Sequence, residues 1–166
     1  MSSTGTPQIE TSEMEQLRSF VADAPVRVAV VASRWHTEVM DGLIAGAWTF
    51  LEAIGIEDPT LVRAPGSFEL PVLAQQAAAN HDAVIALGVV IRGGTPHFDY
   101  VCGAAAHGLG HAALSSGVPI GFGLLTCDDE QQALARAGLE GSQEDKGFEA
   151  AHAAVSAAVE LARLAS

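Results

Sequence analysis

Apolar runs alternate with stretches of helical spacing along most of this chain. Val26–Ala32 (VRVAVVA) is rich in valine and predicts a buried strand. Behind it, Val39, Leu43, Ile44, Ala47, Phe50, Leu51 and Ile54 recur at helical intervals and predict a helix over Thr37–Ile54. Thr37 suits its N-cap, and Gly55 its close. The rhythm then repeats: strand Thr60–Ala64 with helix Phe68–Asn80, strand Ala83–Ile91 with helix Pro96–Ser115, strand Pro119–Thr126 with helix Asp128–Ala137. Thr95-Pro96 reads as an N-cap followed by a first-turn proline. A polar loop, Gly138–Asp145, leads into a last alanine-rich helix, Lys146–Leu164.

Strands alternating with helices specify a parallel sheet covered on both faces. The expected fold is α/β: a three-layer α/β/α sandwich with a parallel four- to five-stranded sheet, flavodoxin-like, every crossover right-handed. Residues 24–166 form its single domain. Residues 1–23 carry no such rhythm and read as a flexible arm or an added edge strand.

Composition narrows the role. Among 166 residues, 8 Lys+Arg stand against 20 Asp+Glu, a formal net charge of -12. Phosphate backbones and anionic lipid repel such a chain, which argues against nucleic-acid and membrane partners. The longest apolar run, AVIALGVVI, has nine residues, whereas a membrane span needs roughly 20. The N-terminal stretch has neither a basic nor an apolar leader region, and two cysteines make no disulfide framework, so a cytoplasmic setting is expected.

In open parallel sheets ligands bind beyond the carboxyl ends of the strands. The unusual residues of this chain fall there. Gly93-Gly94-Thr95 is either a tight turn or a phosphate cradle, with backbone N–H groups and a helix N-terminus aimed at one spot. His97, in the first turn of the next helix, is either an idle surface residue or a proton-transfer group beside that cradle. Trp35 is a cap over the sheet or a stacking platform for a planar heterocycle. Glu69 complements a helix dipole or accepts the N–H groups of a ring. Lys146, the only lysine, is a solvated helix start, a charge for a polar ligand, or a Schiff-base amine, and Glu144 and Asp145 beside it argue against the last. Arg136 suits a helix C-terminus. His107 and His111 have zinc-ligand spacing but no third ligand. Asp128 and Asp129 disfavour a reactive thiolate at Cys127.

Five segments in order then carry a family resemblance: VVASRWH (Val30–His36), APGSFELPV (Ala64–Val72), GVVIRGGTPHFDYVC (Gly88–Cys102), EQQALARAG (Glu130–Gly138) and Asp145-Lys146-Gly147. Together they resemble the lumazine synthase family of riboflavin biosynthesis. The resemblance implies condensation of 5-amino-6-(D-ribitylamino)uracil with 3,4-dihydroxy-2-butanone 4-phosphate to 6,7-dimethyl-8-ribityllumazine, phosphate and water. It implies no metal and no organic cofactor. By motif position it gives Trp35 the pyrimidine stack, and Ser67, Glu69, Val90, Ile91, Phe122 and Lys146 the pyrimidine and ribityl chain. It gives Gly93, Gly94, Thr95 and Arg136 the phosphate, and His97 the proton transfer. Phe122, Arg136 and Lys146 come from a neighbouring subunit in that family, so a homopentamer with active sites between adjacent subunits is implied.

Trp35 stands where many members carry Phe, and Ser67 where many carry Ala. The loop Gly138–Asp145 is about two residues longer than in members that build sixty-subunit shells, which predicts a pentamer that assembles no further. A non-catalytic flavin- or lumazine-binding or shell-forming relative would have lost its site residues; His97, Thr95 and Arg136 are present. A lyase using Lys146 is a second rival; a third, a receiver-like signalling domain, needs an acidic pocket and a lysine at the end of its last strand, a pattern this sequence lacks.

Overall fold

Parallel strands need long crossovers, and the helical stretches of this sequence supply them. The computed structural model describes residues 8–166. Strands β1 (Val28–Ser33), β2 (Thr60–Ala64), β3 (Ala83–Ile91) and β4 (Ile120–Cys127) pair in the order β2-β1-β3-β4, all parallel. Helix α1 (Thr11–Asp23) precedes the sheet. Helix α2 (Thr37–Ala53) follows β1, α3 (Leu70–Ala78) follows β2, and α4 (His97–Ser116) follows β3. Helices α5 (Glu130–Leu134) and α6 (Lys146–Ala165) follow β4. This is the three-layer flavodoxin-like sandwich, with four strands among the described residues.

The Val/Ala/Ile/Leu runs of β1 and β3 are buried because helices cover both faces of these central strands. Their side chains alternate between two cores. Val28, Val30, Ile85 and Leu87 meet α1, α2 and α6 on one face, around Leu43 and Phe50. Ala29, Val31, Val84 and Ala86 meet α3 and α4 on the other, around Leu70 and Leu109. Full burial of a side chain such as Leu43 or Phe50 contributes about 1.5–3 kcal/mol. Helix α6 lies very close to its neighbours. A Cβ added at Gly147 would overlap the Leu43 carbonyl of α2, and one at Gly121 of β4 would overlap the Ala150 carbonyl of α6.

Several boundaries differ from those predicted. Strand β1 starts at Val28, because the Arg27 N–H and guanidinium both donate to the Asp82 carboxylate (2.8, 3.1 and 3.0 Å). A 3-10 turn, Ser67–Glu69, precedes α3, so that Pro71 falls in the first turn, where its missing N–H costs nothing. His36, not Thr37, is the N-cap of α2, and it is left-handed (φ 59°). Pro96 takes the N-cap of α4 in place of Thr95. Helix α5 stops at Leu134, since the Ala135 and Arg136 carbonyls accept the N–H groups of Gln143, Glu144 and Lys146 instead.

The N-terminal expectation needs correction. Residues Thr11–Asp23 are neither an arm nor an edge strand but a helix packed on the body. Leu17 and Val21, four apart on one face, are buried in the first core. The Arg18 guanidinium donates to the Ala53 carbonyl at the end of α2 (3.0 and 2.6 Å), and Glu13 pairs with His152 of α6 (2.7 Å). The sequence reading missed this helix because its apolar positions are few. What was expected of residues 1–7 lies outside the described residues.

Candidate active site

The strand order turns outward between β1 and β3, so their carboxyl ends open a crevice there. A cleft of about 640 Å³ occupies it. Trp35 and His36 reach it from the β1 end, Gly66–Glu69 from the β2 end, and Val89–Ile91 from β3 itself. His97, Tyr100 and Val101 close it from the first turns of α4. One cleft therefore gathers Trp35, Ser67, Glu69, Val90, Ile91 and His97 from four separate chain segments.

Each has a local reason for its place. The αL turn at His36 ends β1 abruptly and leaves the Trp35 indole 66% exposed, so its face is open to a planar ligand. Glu69 and Trp35 lean over the same glycine: a Cβ at Gly66 would stand 3.1 Å from the Glu69 Oε2 and 3.5 Å from the indole Nε1. The site thus sets a carboxylate acceptor beside an aromatic plane. Ser67 is buried, and its hydroxyl donates to the Val89 carbonyl (3.4 Å), tying the β2 turn to β3. Gly88 makes room for this hydroxyl, which would lie 2.8 Å from an added Cβ.

Gly93, Gly94 and Thr95 are exposed beside the cleft, at the entrance to α4. Positive φ occurs at Gly55, Gly117, Gly138 and Gly141, not at Gly93 or Gly94. Nor would a Cβ at either meet any atom within 4 Å. The fold itself does not require these glycines, whereas close approach of a ligand to their N–H groups would.

Arg92 is already engaged. Its guanidinium pairs with Asp128 (2.9 Å) and Asp99 (3.6 Å) and lies 4.2 Å over the Phe98 ring. Hydrogen bonding from Arg92 holds the Asp128 carboxyl below the usual carboxylate range. The cation nearest the bend in sequence thus braces β3, β4 and α4 together.

Phe122, Arg136 and Lys146 do not line the cleft. Phe122 projects from the edge strand β4 toward the α4 side and is 52% exposed. Arg136 is half-buried and donates to the Gln132 carbonyl (2.9 Å). Lys146 sits beside it in a small antiparallel hairpin: the Lys146 N–H donates to the Arg136 carbonyl (3.0 Å), and Ala137 bridges Asp145. The Lys146 ammonium is held by Glu144 and Glu149, both at 2.7 Å. Burial alone would lower its pKa, but the hydrogen bonds it donates to these carboxylates raise it above the ordinary value. A Schiff-base amine needs the opposite shift.

Burial, more than the neighbouring acids, pushes the Cys127 thiol up, against any thiolate role. His107 and His111 are exposed on α4, the first with its Nδ1 2.7 Å from the Gly103 carbonyl. Sequence reasoning did not single out His36, Phe68, Tyr100 or Val101. Tyr100 had a usable signal, since it stands three residues after His97 on one helix face. Phe68 and His36 had none, because their direction depends on a 3-10 turn and a left-handed residue.

Comparison with known proteins adds an independent line. Residues 25–162 match the family model described as 6,7-dimethyl-8-ribityllumazine synthase. A protein of that name from Kineococcus radiotolerans is 60% identical over 162 residues, covering 97% of this chain and 94% of its own. A relative of the same name from Streptomyces coelicolor is 55% identical, covering 97% and 95%. Another, from Cutibacterium acnes, is 61% identical over 130 residues, 78% of each chain.

Proposed function

The chain belongs to the 6,7-dimethyl-8-ribityllumazine synthase family, and from that premise we propose how this molecule carries out the family's reaction. The activity is that of a lumazine synthase, a transferase of riboflavin biosynthesis. The pyrimidine amine attacks the ketone of 3,4-dihydroxy-2-butanone 4-phosphate, an imine forms, phosphate leaves, and the ribitylamino nitrogen closes the ring.

The reading rests on one observation above the others: Trp35, Ser67, Glu69, Val90, Ile91 and His97 share a single cleft. The indole stacks on the pyrimidine, the Glu69 carboxylate accepts from ring N–H groups, and Val90 and Ile91 line the ring. Gly93, Gly94 and Thr95 hold the phosphate at the positive end of α4. His97, the first residue of that helix, relays protons between the amine, the ketone oxygen and water. Holding two substrates in register supplies about 7–11 kcal/mol of barrier reduction before any proton moves.

The phosphate needs a cation that this cleft lacks, because Arg92 is tied to Asp128 and Asp99. Arg136 of an adjacent copy supplies it, with Phe122 and Lys146 on the ring side. A closed homopentamer of head-to-tail contacts brings one subunit's Arg136 to the next one's bend. The distribution of apolar surface supports this. Phe68, Val72, Tyr100, Leu114 and Phe122 stand exposed on the side of the sheet that carries α3 and α4. The loop between Gly138 and Asp145 keeps pentamers from joining further. The free thiols of Cys102 and Cys127 suit a reducing cytoplasm, and among the described residues no helix is long and apolar enough to cross a membrane.

Mixing the two substrates with the protein tests this directly. Lumazine fluorescence should rise with release of phosphate, and sedimentation should give the mass of five chains. No fluorescence would end the catalytic reading. A particle near about 1 MDa would end the proposal that assembly stops at five.

A further inference from the structure

The Arg136–Lys146 hairpin is fastened to the body in an unusual way. The Asp145 carboxylate is sandwiched between two glycines. A Cβ at Gly46 of α2 would overlap its Oδ1, and one at Gly138 would stand about as close to its Oδ2. Gly138 is left-handed (φ +69°), which turns the chain back over the carboxylate. Asp145 Oδ1 also accepts the Phe148 N–H (2.9 Å), capping α6. Two more glycines complete the fit. A Cβ at Gly42 would strike the Ala137 carbonyl, and one at Gly147 the Leu43 carbonyl. The hairpin therefore docks on α2 through Gly42, Gly46, Gly138 and Gly147, with the Leu139 side chain against Gly42 and the Asp145 carboxylate between Gly46 and Gly138.

We infer that Asp145, seated between Gly46 and Gly138, is a positioning residue that fixes Arg136 and Lys146 relative to each other for the adjacent subunit's site. It acts through these two cations and does not meet the substrates. The Lys146 N–H to Arg136 carbonyl bond and the Ala137–Asp145 bridge transmit its placement. Glu144 and Glu149 then aim the ammonium. This inference rests on the proposed role of Arg136 at the phosphate.

Steady-state kinetics on four variants test it, each checked for pentamer mass and helical content. Asp145→Ala should raise KM for the phosphate-bearing substrate by about 10-fold or more through Arg136, with a smaller rise in KM for the pyrimidine through Lys146. Asp145→Asn, which keeps the cap and the volume, should return both to within about 3-fold of the parent. Gly46→Ala tests the seat from the other side: helix propensity favours alanine, yet the new methyl should expel the carboxylate and raise the same KM. Arg136→Ala separates the two layers of reasoning. If it leaves the phosphate-substrate KM unchanged, the role of Arg136 fails and the inference falls with it. If Arg136→Ala raises that KM while Asp145→Ala or Gly46→Ala does not, the positioning role alone is overturned. Should Asp145→Ala fail to assemble, Gly46→Ala with a parental KM overturns the inference, and a raised KM sustains it.

Discussion

His97 sits exposed at the rim of the cleft, and the proton-transfer role we propose for it is worth typically 10²–10⁴-fold. His97→Ala should therefore lower kcat by about that factor and leave measurable turnover from positioning alone. Complete loss of activity with the fold intact would contradict this share of the work. The Glu144–Lys146 pair carries a different kind of residue-scale information. Hydrogen bonding from Lys146 holds the Glu144 carboxyl below its ordinary 4.5. Its stabilising effect is thus present above pH 4.5 and disappears as pH falls through the lower folded-state value. Lys146 is raised above 10.5, so its part holds below that pH and fades as pH rises through the higher folded value. Glu144→Gln should cost about 1–3 kcal/mol in urea unfolding at neutral pH. The gap to the parent should close in acid. A gap that persisted well below pH 4 would show that charge is not its source.

At the scale of elements, β3 and the order of strands and helices were legible because continuous apolar runs and helical spacing are strong signals. The ends of α5 and α3 were less so. Proline placement and competition from the Gln143–Lys146 N–H groups set them, and neither is visible as periodicity. Six of the expected site residues were traced to one cleft through strand ends and motif, while Arg136 and Lys146 had to be located by their hairpin. Helix α1 was missed outright, since two buried residues give little pattern. Glycines at close crossings were also silent in the sequence. Gly121 is one: β4 runs so near α6 that Gly121→Ala would press a methyl into the Ala150 carbonyl. It should destabilise the chain by about 1–3 kcal/mol, read as a lower urea midpoint, although alanine disturbs most strands far less. An unchanged midpoint would mean that α6 yields without cost.

Over the whole molecule, one layer differs from the other. Helices α2 and α6 bury most of their apolar side chains against the sheet and each other, leaving Leu161 and Leu164 exposed near the end of α6, whereas the α3–α4 side leaves Phe68, Val72, Tyr100 and Leu114 in water. The net charge of -12 keeps such a surface from associating at random. The proposed ring would exploit a specific fit of one chain to the next, with the acceptor cleft on one side and the Arg136–Lys146 hairpin on the other.

Because that cleft and that hairpin lie apart on every chain, two crippled proteins should be able to rescue one another. A ring assembled at random from equal parts of His97→Ala and Arg136→Ala chains would place an intact imidazole opposite an intact guanidinium at about a quarter of its junctions. At low concentrations of the phosphate-bearing substrate, turnover should rise on co-refolding above the residual level that the two preformed rings give when merely combined.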